Sequence, residues 1–275
     1  MLGSTLLRYF SVVPNVEVMG TVRAQPTNSH FQNECRHLLE EGVDVSDINN
    51  IQSLLSSYRP EVVINCVGIV KQLEDAENPL ISIPINSLLP HQLATLCAEV
   101  GARLIHFSTD CVFSGAVGMY KEGDFPDAND LYGRSKYLGE VAKQSHVLTL
   151  RTSIIGHELS GSHSLVNWFL EQSGKVLGYK NAIFSGLPTI EVARIIDEFI
   201  LKNSELSGLY HLSGHPIDKY TLLCLISKQY HKNIEIQSDD KVKINRSLDS
   251  ERFRKAVGYR PKDWPTLISE MHLFQ

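Results

Sequence analysis

Tyr132 and Lys136 stand four residues apart in LYGRSKYLGE at 131–140, so they share one face of any helix formed there. Tyrosine ordinarily ionises near pH ~10, and a neighbouring cation favours the phenolate, which would make the pair a proton shuttle. Upstream, Thr109 closes the run LIHFST, where a hydroxyl could orient a carbonyl toward the Tyr132 proton. Together the three side chains make a donor set for carbonyl reduction. Tyr-x-x-x-Lys is also the pattern of an ordinary amphipathic turn, so the reading depends on the elements around it.

Those elements alternate. The apolar run at 104–107 stops at Ser108, Thr109 and Asp110, as a buried strand does where it opens onto a site. An acidic loop bearing Gly and Pro then leads to the helix of Tyr132. EVVINCVGI at 61–69 is continuously apolar, as in a central parallel strand. VEVMGTVR at 16–23 and HVLTLRTSIIGH at 146–157 read as further strands, and GVDVSD at 42–47 as a strand running into a helix cap. Helices are expected over 51–60, closed by Pro60, over 83–100, where Pro90 can kink it, and over 186–200, opening on Pro188 and capped by Thr189. The pattern predicts an α/β fold with a doubly wound, Rossmann-type parallel sheet and a small C-terminal substrate lobe. The division expected is 1–155 for cofactor binding and 156–275 for substrate, with 186–203 packing back on the first part.

A composition of 43% hydrophobic and 21% charged residues is ordinary for a globular chain of 275 residues. The formal charge of −5, with no basic stripe, argues against a nucleic-acid partner and for a small molecule. There is no apolar run of membrane-spanning length, and the N-terminus lacks a signal-peptide layout, so a cytoplasmic location is expected. Five cysteines, at 35, 66, 97, 111 and 224, form no close pair and suit reduced thiols; Cys66 reads as a packed residue, since no base stands beside it in sequence. His211 and His215 are four apart, but Gly214 and Pro216 break any helix between them, and no metal site is expected.

The segments VINCVGIV at 63–70, IPINSLLPHQLA at 83–94, LIHFSTDCVFSG at 104–115, LYGRSKYLGE at 131–140, LTLRTSIIG at 148–156 and GLYHLSG at 208–214 resemble the extended short-chain dehydrogenase/reductases. Within that family they are most similar to dTDP-4-dehydrorhamnose reductases and related nucleotide-sugar reductases. The resemblance implies Thr109, Tyr132 and Lys136 as catalytic residues. It implies Asn65, Cys66, Val67 and Gly68 lining the cofactor, Asn86 supporting Lys136 through water, Thr152 and Ser153 near the nicotinamide, and Asp44 and Val45 against the adenine. Arg23, just past its strand, suits a 2′-phosphate and favours NADP over NAD.

The chain opens MLGSTLLRYF, which resembles the last three positions of the family's glycine turn, ending at Gly3 and running straight into the first helix. The first strand and most of the phosphate-binding turn are therefore expected to be missing from the sheet, through a misassigned start or a real truncation. Two residues depart from the rhamnose-type pattern: Cys111 stands where a tyrosine is usual, and Ile154 where an aromatic residue is usual. Both changes fall near the sugar site. Asp110, Cys111, Trp168 and Arg246 are the candidate substrate contacts; Trp168 could be a sugar or base platform or core, and an arginine suits a nucleotide diphosphate.

The function implied is NADPH-dependent reduction of a nucleotide-linked 4-keto-6-deoxysugar, in dTDP-rhamnose or another surface polysaccharide precursor pathway. A UDP-linked amino-sugar reductase or epimerase stands beside it. So does a non-catalytic subunit of the same fold, like the methionine adenosyltransferase regulatory subunit. A nucleotide sugar is the partner expected, and a homodimer is left open.

Overall fold

The computed structural model describes residues 1–24, 33–72 and 74–275. Its centre is a parallel ladder of four strands in the order β6-β5-β4-β3, formed by Gly208–His211 (β6), Val147–Thr152 (β5), Arg103–Thr109 (β4) and Val62–Asn65 (β3). Every residue of β5, and every residue of β4 after Arg103, is buried. That is the burial expected of parallel strands covered on both faces. Side chains alternate across β4. Ile105 and Phe107 enter a large core with Leu148, Leu150, Ile195 and Phe253, whereas Leu104 joins a second core on the opposite face with Leu55, Leu93 and Cys97. The large core draws residues from Leu2 to Met271, so both halves of the chain share it.

Gly20–Val22 (β1) and Leu39–Glu41 (β2) form a separate parallel pair, with Gly20 opposite Leu39 and Val22 opposite Glu41. No pairing joins β1 to β3. These six parallel strands thus form two separate ladders among the described residues. The consequences are local. The strand expected over 16–23 shrinks to its paired residues, the one expected over 42–47 moves back to β2, and β3 ends at Asn65 with its first three residues half-buried. A strand edge without a partner lacks the ladder that would hold it extended.

Leu2–Phe10 (α1) buries Leu2, Leu6 and Phe10, spaced along one stripe, in the large core. It packs against Thr189–Ile195 (α5), where the Thr5 and Thr189 hydroxyls meet at 3.0 Å and the Tyr9 hydroxyl donates to Asp197 at 3.0 Å. Thr189 therefore does not cap α5 as expected: it is the first helical residue, and its hydroxyl turns to α1 instead. Ile48–Tyr58 (α2) starts at an Asp47 cap. The helix expected over 83–100 is really 79–100. Wide π turns over Ile83–Leu88 lead into Leu89–Val100 (α3), and the irregularity lies just ahead of Pro90, which has no N–H for the carbonyl of Asn86.

Candidate active site

Thr109 ends β4 in extended conformation and caps the short turn Asp110–Val112, its hydroxyl oxygen accepting from the Cys111 amide at 3.1 Å. Leu131–Leu138 (α4) begins just across from it. Asp130 caps this helix by accepting from the Gly133 amide at 2.7 Å. A Cβ on Gly133 would lie 2.3 Å from the Cys111 carbonyl oxygen, so this glycine lets α4 rest directly on the turn after Thr109. The packing brings the Thr109 hydroxyl close enough to the Tyr132 phenol to act on its ionisation. Burial raises the Tyr132 pKa, with Cys111, Asp110 and Asp130 adding to it and Thr109 opposing. At neutral pH the phenol is therefore a neutral donor.

Lys136, one turn on, is 6% exposed and donates from Nζ to the Phe107 carbonyl at 2.7 Å. Burial depresses its pKa to about 8 against the pull of Glu140. The expectation that Lys136 sets the Tyr132 pKa is corrected in this arrangement. The ammonium gives one of its three donors to a β4 carbonyl, and burial is the largest influence on the phenol.

The residues read for the cofactor divide into two groups. Gly3, Gly68 and Lys136 converge: a Cβ on Gly3 would sit 3.5 Å from that of Cys66, and one on Gly68 would be 3.4 Å from Asn86 Oδ1 and 3.9 Å from Lys136 Nζ. The first helical bond of α1 runs from the Thr5 amide to the Met1 carbonyl, so the amides at the start of α1 are free for a ligand. Arg23 and Asp44 lie within electrostatic reach of each other beyond β1 and β2, and Val45 packs against the second core. Free helix-start amides, glycines allowing close approach and a cation past β1 fit a dinucleotide phosphate.

Asn65 and Asn86 both bond to backbone in the turn after β3. Asn65 accepts from the Val67 amide at 3.0 Å and contacts His106 Nδ1 at 3.1 Å. Asn86 is bonded to both the amide and the carbonyl of Ile69, at 2.9 and 3.0 Å, and to the Ser135 hydroxyl at 3.2 Å. It fixes the turn carrying Cys66, Val67 and Gly68, and its Oδ1 and Lys136 Nζ both lie within 4 Å of the place a Cβ on Gly68 would take. Thr152 pairs with Thr109 across β5 and β4, while the Ser153 carbonyl accepts from Leu187 at 2.9 Å.

On the substrate side Asp110 is 7% exposed, and its Oδ1 accepts from Thr109 at 3.2 Å. Arg246 donates through Nε to the Phe113 carbonyl at 2.9 Å and acts electrostatically on Asp110, Cys111 and Asp127. Trp168 is 37% exposed on Leu165–Glu171, while its neighbour Phe169 fills the core; Trp168 makes no ring contact and no side-chain hydrogen bond among the described residues. Sequence reading passed over Glu140 and Arg151. Glu140 did carry a signal, its spacing of four from Lys136.

The family model described as "RmlD substrate binding domain" matches residues 1–272. The chain belongs to this family. Among curated relatives of this RmlD-family chain, the "Probable low-salt glycan biosynthesis reductase" of Haloferax volcanii is 37% identical over 117 residues, 41% of this chain, and the match spans only 39% of that relative's length. The methionine adenosyltransferase 2 subunit beta of Xenopus laevis is 25% identical over 266 residues, 86% of this chain and 78% of that one. Among solved structures, the hypothetical dTDP-4-dehydrorhamnose reductase of Sulfolobus tokodaii superposes with a TM-score of 0.77 at 25% identity, covering 96% of this chain and 94% of that one. The dTDP-4-dehydrorhamnose reductase of Bacillus anthracis, solved in complex with NADP, gives 0.74 at 19% identity, covering 86% and 90%. Among the described residues no helix is long and apolar enough to cross a membrane, and no group of three or more His, Cys, Asp or Glu is placed to hold a metal.

Proposed function

We propose that this RmlD-family chain catalyses NADPH-dependent reduction of a nucleotide-linked 4-keto-6-deoxysugar in the cytoplasm, as a step toward a surface polysaccharide precursor. The observation that carries this is the packing of α4 on the turn after Thr109 through Gly133, which sets Tyr132 near the Thr109 hydroxyl, with Lys136 one turn on and its Nζ near Gly68. NADPH would supply the hydride. Free amides at the start of α1 would hold its pyrophosphate, the turn at 65–68 would lie along it, and Arg23 would meet the 2′-phosphate.

Thr109 orients the substrate carbonyl, and the neutral Tyr132 phenol gives its proton to the carbonyl oxygen. Lys136 stabilises the phenolate left behind and binds the nicotinamide ribose, while Arg246 offers its guanidinium to the nucleotide diphosphate. With phenylalanine at position 132, turnover on dTDP- or UDP-linked keto sugars is expected to fall by about a hundredfold or more. Unchanged turnover would refute the reading.

A second reading rests on the match to the Xenopus laevis subunit over most of the chain: a non-catalytic partner of a synthetase. Co-purification with a synthetase, and no turnover on any keto sugar, would favour it.

A further inference from the structure

Asn65 and His106 stand directly opposite in the pairing of β3 with β4, so their side chains leave the sheet on the same face. Two residues back on each strand, Val63 and Leu104 belong to the second core. The pair therefore ends an apolar face, and both residues are buried, His106 completely so. Among the described residues His106 Nε2 is the one buried side-chain nitrogen or oxygen without a hydrogen-bond partner. An unpaired donor in such a place costs stability, and a leucine there would carry none. The use of the imidazole lies at its other nitrogen.

Hydrogen bonds fix which nitrogen carries the proton. The Val67 amide donates to Asn65 Oδ1 at 3.0 Å, so the Asn65 side chain turns its NH2 toward His106. Nδ2 lies 3.1 Å from His106 Nδ1, which must then accept. A neutral ring with its lone pair on Nδ1 carries the proton on Nε2, the nitrogen left unpaired. Burial keeps the ring neutral by pushing its pKa well below the usual histidine value, and Lys136 and His91 add to this. The opposite tautomer would set N–H against NH2. Turning the Asn65 amide over to relieve that would take the acceptor away from Val67.

The backbone held in this way is the turn at 66–68. Cys66 and Val67 are exposed although Asn65 is buried, so the turn meets a ligand from a fixed base. Its far end is fixed as well, because Asn86 bonds to the amide and the carbonyl of Ile69 and to the Ser135 hydroxyl on α4. Two asparagines thus clamp the turn, one backed by the Tyr132 helix and the other by His106 on β4.

We propose that His106 is a positioning residue for the cofactor: by accepting at Nδ1 it fixes the Asn65 amide, and through it the Val67 amide and the turn along which NADPH lies. The inference rests on the placing of that turn along the cofactor in the reading above.

The test is fluorescence titration of NADPH into the full chain and into His106→Leu, His106→Asn, Asn65→Ala and the double variant of His106→Leu with Asn65→Ala. His106→Leu is expected to weaken NADPH about tenfold, the effect of one lost hydrogen bond. His106→Asn, whose side-chain oxygen can stand where Nδ1 stood, is expected to bind within about twofold of the unaltered protein. On the Asn65→Ala background His106→Leu should change nothing further, because its effect passes through Asn65. Unaltered affinity in His106→Leu, an equal loss in both His106 variants, or losses that add across the two positions overturn the proposal and leave the cofactor reading standing. Should His106→Leu lose its near-ultraviolet circular dichroism, nitrogen magnetic resonance of the imidazole in the unaltered protein decides: a proton on Nε2 supports the assignment, and one on Nδ1 overturns it. Failure of the unaltered chain to bind NADPH overturns the placing of the cofactor along this turn as well.

Discussion

Both carboxylate oxygens of Glu140 are held by Arg151, Oε1 by Nε at 2.7 Å and Oε2 by Nη2 at 2.7 Å. Ser108 adds a third bond to Oε1 at 2.7 Å. Glu140 stands one turn beyond Lys136 and Arg151 immediately before Thr152, so the pair fastens the Tyr132 helix to both β4 and β5. Its side chains are only 2% and 5% exposed. Arg151→Met leaves the Glu140 charge buried and unmatched and should cost about 3–5 kcal/mol, read by urea unfolding. Arg151→Met combined with Glu140→Leu should cost less than the two single changes summed, because no lone charge remains.

Lys136 gives stability a pH signature. Its pKa is about 8 in the folded protein against 10.5 as an ordinary lysine. Below about 8 both states carry the proton, and the burial cost is fully present. Between about 8 and 10.5 the unfolded chain binds more protons, so this residue's contribution to stability rises with pH. The unaltered protein should therefore gain on Lys136→Met across that window in denaturation midpoints; a constant difference would show that the ammonium is not desolvated. Turnover that needs the charged ammonium should decline above about pH 8.

Gly139 is a position of close contact. A Cβ there would lie 2.0 Å from the Asn86 carbonyl oxygen, the same carbonyl that Pro90 leaves without a helical donor. Gly139→Ala should destabilise by about 1–3 kcal/mol, since two backbones must separate. Gly123, where an added Cβ meets nothing within 4 Å, is the control, and its alanine variant should shift stability by about 0.5 kcal/mol or less. Thermal unfolding of the two variants decides it.

Arg23 is exposed at the end of β1, near Asp44. Arg23→Ala should weaken NADPH about tenfold or more, the value of a charge-assisted phosphate contact, and leave NADH nearly unchanged. Fluorescence titration with both nucleotides reads the ratio, and equal losses would move the 2′-phosphate elsewhere.

Local pattern determined much of this protein. The apolar run of β4, its stop at Ser108, and the Tyr132–Lys136 spacing on α4 depend on neighbours within a turn or a pleat, and the sequence shows such neighbours directly. What only the tertiary structure decided involves partners far apart in the chain. Lys136 bonds to Phe107, and Asn86 spans to Ile69 and Ser135. The break between β1 and β3 is of the same kind, since a ladder exists only where two strands meet. Periodicity is written residue by residue, whereas desolvation, and with it the ionisation of Tyr132 and Lys136, is settled only when distant segments close over a group and remove its water.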